Sequence, residues 1–450
     1  MEEATKGSRP DRGKSALAPP APKSGRGSPP LKVNKLRPPA SRRARRYLCR
    51  PLSPAVRRSF AFKITLLILA WLVLAIACEQ VPAAAFWPVV FGALTTPVAL
   101  ALTALLALYW LRRNWRVALL PLLALALTWP HVQRGVALHV AGLLPGGPAS
   151  TVAAPAAGRP RSSFFGPGAP GQVHLLSANV RIFNVYAHLR DPDNASTKGM
   201  IRWLATSPAD VLCLQEYYNE PRGSRDDGDV FQTDDHLGRE TGRHSFVSVT
   251  LTNGIGAEFG LAIFSRFPIV RRGTIAFGRL SQNHAMWADL ARPAARTGRG
   301  RPDTIRVFNL HLQSMSMEET DLLAATASRA GLLQKAPGLL RRFRNGAVAR
   351  GAQVDTVLAR VARSPYPVLL AGDLNDLPYS YAYDQLADHL QNAWATVGLG
   401  VGATYHGRLP LLRIDQQFAG PAWQVLGCRV HREIKWSDHF PVEGLYQLRR

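Results

Sequence analysis

Side chains able to bind a cation or move a proton recur in this sequence at the ends of short apolar runs. Asn179 closes VHLLSAN, Glu216 closes DVLCLQE and His311 falls in TIRVFNLHL. Asp373 and Asn375 follow YPVLLAG, while Asp438 and His439 open SDHFPVEGLYQL. Carboxylate and amide oxygens suit a hard dication such as Mg²⁺, which keeps several waters and needs few protein ligands. An imidazole titrates near neutrality and can give or take a proton as a bond breaks. Taken singly, each residue also has an ordinary reading: Asp and Asn in turns, Glu at the surface, His satisfied in a core. Their joint occurrence decides.

The runs that carry these residues have strand length and β-forming character. GLAIFS belongs with them. Helical stretches lie between, notably Thr197–Ala205 and a long segment from about Met317 to Ala362, where AVARGAQVDTVLARVAR sets apolar residues at helical spacing. The expectation is a mixed α/β domain from Gln172 to the end, in which buried strands run up to a rim and present the polar residue that follows.

The ordered set SANV, QE, GLAIFSR, NLHLQS, GDLND, RID and SDHFPV resembles the endonuclease/exonuclease/phosphatase superfamily with its DNase-I-like fold, from about Val173 to Val442. Each motif alone is weak; the order makes the signal. The resemblance implies a four-layer α/β sandwich, with two mixed sheets face to face and helices outside. It also implies metal-dependent hydrolysis of phosphodiester or phosphomonoester bonds. Such a reaction builds negative charge on phosphoryl oxygens and needs a cation, donors and a group that orients water.

On that resemblance Glu216 is the principal Mg²⁺ ligand (Mn²⁺ being the alternative), Asn179 supports the same ion and Asp438 faces it. Asp373 orients or deprotonates the attacking water, and Asn375 holds a phosphoryl oxygen. His439 donates to the phosphoryl oxygen or protonates the leaving group, oriented by Asp415 in RID. His311 contacts the scissile phosphate. Asn283, in NHAMWADL, is a weaker candidate without an assigned role, and Asp376 reads as a turn residue outside the site.

Two departures matter. Arg181 stands where DNA-repair members carry an acid, which puts abasic-site chemistry in doubt. Gln416–Gln417–Phe418 is less apolar than is usual after RID. DLPYSYAY after the GD-x-N motif is unlike the inositol 5-phosphatase branch. The substrate expected first is nucleic acid, with Arg341, Arg342, Arg344 and Arg350 as a basic stretch that could track phosphates. A phospholipid or sphingolipid phosphodiester is the alternative, and a non-enzymatic phospholigand binder the third. No protein partner is expected.

The rest of the chain is an anchor. Residues 1–59 hold all sixteen of the Lys/Arg that stand before Lys63 against three acids, about half of the net charge of +25. They are rich in Pro, Ser, Gly and Ala, a composition for a disordered tail beside anionic lipid headgroups. Within 60–144, three apolar runs (about Phe60–Cys78, Phe86–Leu111 and Val117–Trp129) predict three transmembrane helices, with tryptophans near their ends. Residues 145–171 read as a Pro/Gly/Ala linker and 172–450 as the catalytic domain. Arg112, Arg113 and Arg116, like the basic tail, belong in the cytoplasm. Three crossings of the plasma (inner) membrane then leave the catalytic domain extracytoplasmic. The third run, broken by Pro121 and Pro130, is the weakest, and its failure to cross would return that domain to the cytoplasm. Cys49, Cys78, Cys213 and Cys428 have no metal-type spacing; Cys213 reads as a core residue, with a Cys213–Cys428 disulfide left open.

Overall fold

The computed structural model describes residues 53–139, 165, 171–186, 189, 191–221, 229–278, 283–292, 303–314, 329–407 and 411–449. The expected tail up to residue 52 and the linker, Phe165 and Gly171 apart, lie outside them.

The apolar runs form helices. Ser59 caps α1 (Phe60–Glu79), accepting the Phe62 N–H at 3.3 Å. Two short turns, Ala83–Phe86 and Val89–Leu94, lead to α2 (Thr96–Arg113). The Trp71 indole donates to Thr95 and the Trp110 indole to Thr65, so α1 and α2 run antiparallel. Asn114 ends α2 and caps α3 (Trp115–Leu127), which folds back until Leu125 lies near Pro97 and Leu100. α4 (Trp129–Gly135) is bent 68° from α3. Phe60–Glu79 and Val89–Arg113 are long and apolar enough to cross a membrane, and the bent α3–α4 pair makes a third crossing only if counted as one span. Thirteen residues in α3 rise only about 20 Å. The weakness expected of the third run is therefore physical: the bend at Thr128 and Pro130 ends α3 before that helix alone reaches bilayer length.

The C-terminal part contains two six-stranded sheets. The first is built of β1 (Gln172–Asn179), β2 (Val211–Asn219), β3 (His244–Thr252), β4 (Glu258–Ser265), β11 (Trp423–Val430) and β12 (Val442–Leu448), in the order β11-β12-β1-β2-β4-β3. The second holds β5 (Ile269–Ala276), β6 (His284–Arg292), β7 (Asp303–His311), β8 (Val368–Asp373), β9 (Gln391–Asn392) and β10 (Asp415–Ala419), in the order β9-β10-β8-β7-β6-β5. β1–β2 and β7–β8 are the parallel pairs; all other neighbours are antiparallel.

Three apolar clusters define four layers. Val173, Leu175, Val211 and Ile263 of the first sheet meet Met286, Val307, Leu369 and Ala371 of the second. The alternate residues Leu176, Leu212 and Leu214 face α5 (Ala195–Ala205), which turns Met200, Ile201 and Leu204 toward them. On the far side Phe308, Leu310 and Leu370 pack against α6 (Arg329–Val361) and α7 (Tyr381–His389) through Val354, Val357 and Leu386. The mixed α/β sandwich expected from the sequence is present. Cys213 and Cys428 lie buried in the central layer as free thiols, so the disulfide left open does not form.

The Gln416–Gln417 anomaly has an explanation. The Gln417 amide donates to Val442 O at 2.8 Å and accepts from the Tyr446 hydroxyl at 2.6 Å, tying β10 to β12 across the sandwich. Gln215 and Asn309 make a second polar tie between the sheets at 2.6 Å.

Candidate functional site

Strand register assembles the site. β7, β8 and β10 pair so that His311 stands opposite Asp373 and Asp373 opposite Asp415. In the other sheet Asn179 ends β1 opposite Gln215. Next to it Glu216 has φ 49° within an irregularity of β2 between Leu214 and Tyr217, the device that turns one side chain out of the strand's alternation. Gly372, just before Asp373, has φ 149°, and a Cβ there would fall 2.0 Å from Leu310 O. Only glycine lets β8 approach β7 so closely.

Asn179 is the hub. Its Nδ2 donates to Glu216 Oε1 and to Asp373 Oδ2, both at 3.1 Å, while its Oδ1 accepts the Arg181 N–H at 3.0 Å. His439 Nδ1 donates to Asp415 at 2.9 Å, and its Nε2 lies 3.9 Å from Asp373 Oδ2. His311 Nε2 is 3.8 Å from both Glu216 Oε1 and Asp373 Oδ2. Asn375, at φ 49°, gives its backbone N–H to Asp373 Oδ1 at 2.8 Å and its side-chain amide to Leu312 O at 3.0 Å. Asp438 sits on the rim, one-third exposed, with the Arg181 guanidinium 3.5 Å away. The structure thus gathers Asn179, Glu216, His311, Asp373, Asp415 and His439 at one end of both sheets, with Asn375 and Asp438 beside them.

Burial and charge shape the site's electrostatics. Burial disfavours charge on His439, but the Asp415 and Asp373 carboxylates outweigh it and hold the imidazole well above its usual range. Burial pushes Asp373 up, reinforced by Asp415 and opposed by His439 and His311. Among the described residues no lysine or arginine pairs with Glu216, Asp373 or Asp415. Asp373, Asp415 and His439 bring ligand atoms within 4.8 Å of one another. An oxygen-rich cluster with surplus negative charge fits a hard divalent cation.

Several supporting residues escape a sequence reading. The Ser437 hydroxyl donates to Asn179 O at 2.8 Å and accepts the His439 N–H at 3.2 Å, tying the end of β1 to the segment that leads into β12. The Tyr405 ring meets His439 edge-on at 5.5 Å. The weak candidate Asn283 donates to Leu312 O at 2.9 Å, the carbonyl that Asn375 also uses, which makes it a support of the Asn375 loop. Ser437 precedes the Asp-His pair in the motif, the one signal that could have found it.

One expectation is corrected. Arg350 does not belong to an exposed basic stretch. It is 1% exposed, its Nε donates to Asp376 at 2.7 Å and its NH1 to Gln313 O at 3.1 Å. This salt bridge anchors α6 to the loop after Asp373, and only Arg341, Arg342 and Arg344 face solvent.

The model of the Endonuclease/Exonuclease/phosphatase family matches residues 176–439, more than half of the chain. A second model, a domain of unknown function (DUF8431), matches residues 57–135, the helical region. Among solved structures, an endonuclease/exonuclease/phosphatase from Beutenbergia cavernae is similar at 21% identity, covering 62% of this chain and 72% of that one, with a TM-score of 0.43. The human nocturnin catalytic domain with bound sulfate is 16% identical, covering 62% and 94%, at 0.43. A mannosyl-6-phosphatase from Bacteroides thetaiotaomicron is 16% identical, covering 61% and 99%, at 0.40. No curated protein matches. By the extent of the family match, and with the motif residues gathered at one end of the sandwich, the chain belongs to the endonuclease/exonuclease/phosphatase family.

Proposed function

We propose that this protein is a membrane-anchored, Mg²⁺-dependent phosphoric ester hydrolase acting on phosphodiesters. The observation that carries the reading is the convergence of a carboxylate-oriented imidazole, His439–Asp415, on Asp373 and Glu216, carboxylates that pair with no Lys or Arg among the described residues.

Glu216 and Asp438 would hold the divalent cation, Mn²⁺ serving as the alternative to Mg²⁺, and Asn179 fixes Glu216 in place. When bound, the cation offsets charge that develops on the phosphoryl oxygens. Asp373, made more basic by burial, orients the attacking water and takes its proton. His439, kept protonated by Asp415, donates to the phosphoryl oxygen or to the leaving alcohol. His311 and Asn375 flank the same opening and bind phosphoryl oxygens. Asp415, accepting from Nδ1, fixes the orientation of the ring.

The anchoring part of the proposal rests on α1 and α2, with the bent α3–α4 pair as the third crossing. Arg112 and Arg113 end α2 and Arg116 opens α3, whereas Glu79 and Thr96, at the other end of the α1–α2 pair, sit beside the hydrolase domain. With the basic end in the cytoplasm, the domain lies outside it. Nucleic acid as substrate loses Arg350 from its basic stretch.

The test is hydrolysis of a bis-aryl phosphodiester by the full chain in detergent, with Mg²⁺ and then with EDTA. Metal-dependent turnover supports the reading. Turnover unaffected by EDTA, or none from a folded protein, sinks it.

A further inference from the structure

An apolar groove of about 640 Å³ runs between the helices and the hydrolase domain. One wall is formed by Leu100, Ala101 and Ala104 of α2 with Leu125 of α3; the other by Leu377–Tyr379 and Leu411–Arg413. Both domain segments adjoin the site. Leu377 follows Asn375 by two residues, and Arg413 precedes Asp415 by two. Leu412 O accepts the backbone N–H of Tyr405, whose ring packs on His439. Of the groove's two arginines, Arg134 is paired with Glu79 and Asp384, and Arg413 is buried with its NH1 on the Val401 carbonyl. Trp129, Val136, Leu138 and Leu411 are exposed where they line it.

From this adjacency of groove-lining and site-bearing segments we infer that the groove receives the hydrocarbon chain of a membrane lipid and that the substrate is a lipid phosphoester, its tail in the groove and its phosphoryl group beside His439. The inference rests on the phosphoesterase reading above and names its substrate class. A hydrocarbon chain is the fitting occupant for two reasons. The α2 and α3 surfaces beside the groove expose Leu105, Leu108, Leu122 and Leu123, so the groove opens where lipid tails are the solvent. A nucleic acid strand, by contrast, would need exposed cations along its path, whereas Arg134 here is paired with Glu79 and Asp384 and Arg413 is buried. Hydrolysis joins a water oxygen to phosphorus and breaks one P–O bond, and the released alcohol takes its proton from His439.

The test uses the full chain in detergent with Mg²⁺ and two esters with the same leaving group, p-nitrophenyl hexadecyl phosphate and p-nitrophenyl ethyl phosphate. Plasmid DNA is the third arm. The expected result is a kcat/KM at least 10-fold higher for the hexadecyl ester. That ratio should fall toward that of free detergent partitioning in Ala101→Trp, which fills the groove, and in Leu411→Asp, which charges its mouth. Both positions are exposed, so neither change threatens the fold. A ratio identical in wild type and both variants, or preferred cleavage of DNA, overturns the inference while leaving the phosphoesterase standing. Hydrolysis of none of the three overturns both.

Discussion

Two clusters of acidic and imidazole side chains in this protein have nearly the same membership and opposite charge balance. At the junction of helices and hydrolase domain, Glu79, His131 and Asp384 lie close enough to share an ion. Arg134 already fills that role: its NH1 is 2.9 Å from Glu79 and 2.6 Å from Asp384, and Thr96 donates to Glu79 at 2.7 Å. At the strand ends, Glu216, Asp373 and Asp415 have imidazoles and an amide but no Lys or Arg partner among the described residues. A buried carboxylate cluster with its arginine is architecture, whereas one without it holds charge in reserve for something that binds. The difference explains why one cluster joins elements and the other is read as a reaction centre.

The comparison breaks most readily at His439. His439→Ala should lower kcat by about 10²–10⁴-fold with folding intact, as expected for loss of a general acid. A drop of less than 10-fold would demote His439 to a structural residue. Next is the junction. Arg134→Leu leaves Glu79 and Asp384 buried without their counter-ion and should cost about 3–5 kcal/mol in denaturant unfolding of the solubilised protein. The mirror experiment, Asp373→Asn without metal, should stabilise by about 0.5–2 kcal/mol while activity is lost, because it removes a carboxylate whose charge burial disfavours and no Lys or Arg among the described residues balances. Equal destabilisation by both substitutions would erase the distinction between the clusters.

pH sharpens the contrast by smaller amounts. His439 and Asp373 both have folded pKa values above their usual ones. Their contribution to stability is complete below the unfolded pKa values and is lost as pH rises through the folded ones, so the metal-free protein weakens toward alkaline pH. Glu443, between His174 and His431, behaves oppositely. Burial opposes its ionisation, but hydrogen bonds from the two imidazoles bring it down to about 2. Its stabilisation is present above the ordinary Glu range and fades as pH falls toward 2. Unfolding curves of wild type and Glu443→Gln converging at low pH would bear this out; a constant gap down to pH 2 would contradict it.

The layers and most of the site were legible because their signals are local. Apolar runs of strand length ending in Asn179, Glu216, His311 and Asp373 announce strands that deliver polar groups to one rim. Asp415 was reachable only through the family resemblance, because its partnership with His439 depends on β10 pairing beside β8. Arg350 was misread since a basic residue in a basic helix gives no sign of facing a loop acid. Gln417 was opaque for a related reason, its partners lying on another sheet. The junction had no sequence signal either: Glu79 ends an apolar helix, Asp384 sits in YAYDQ, and nothing local joins them.

On the function proposed above, the strand-end cluster, and not the junction, holds a divalent cation. Titration of the full chain with Mn²⁺, followed by electron paramagnetic resonance of the free ion, tests it. The account predicts binding that weakens at least 10-fold in Glu216→Gln and is unchanged in His131→Gln. Binding that survives Glu216→Gln, or that is lost in His131→Gln, would contradict it.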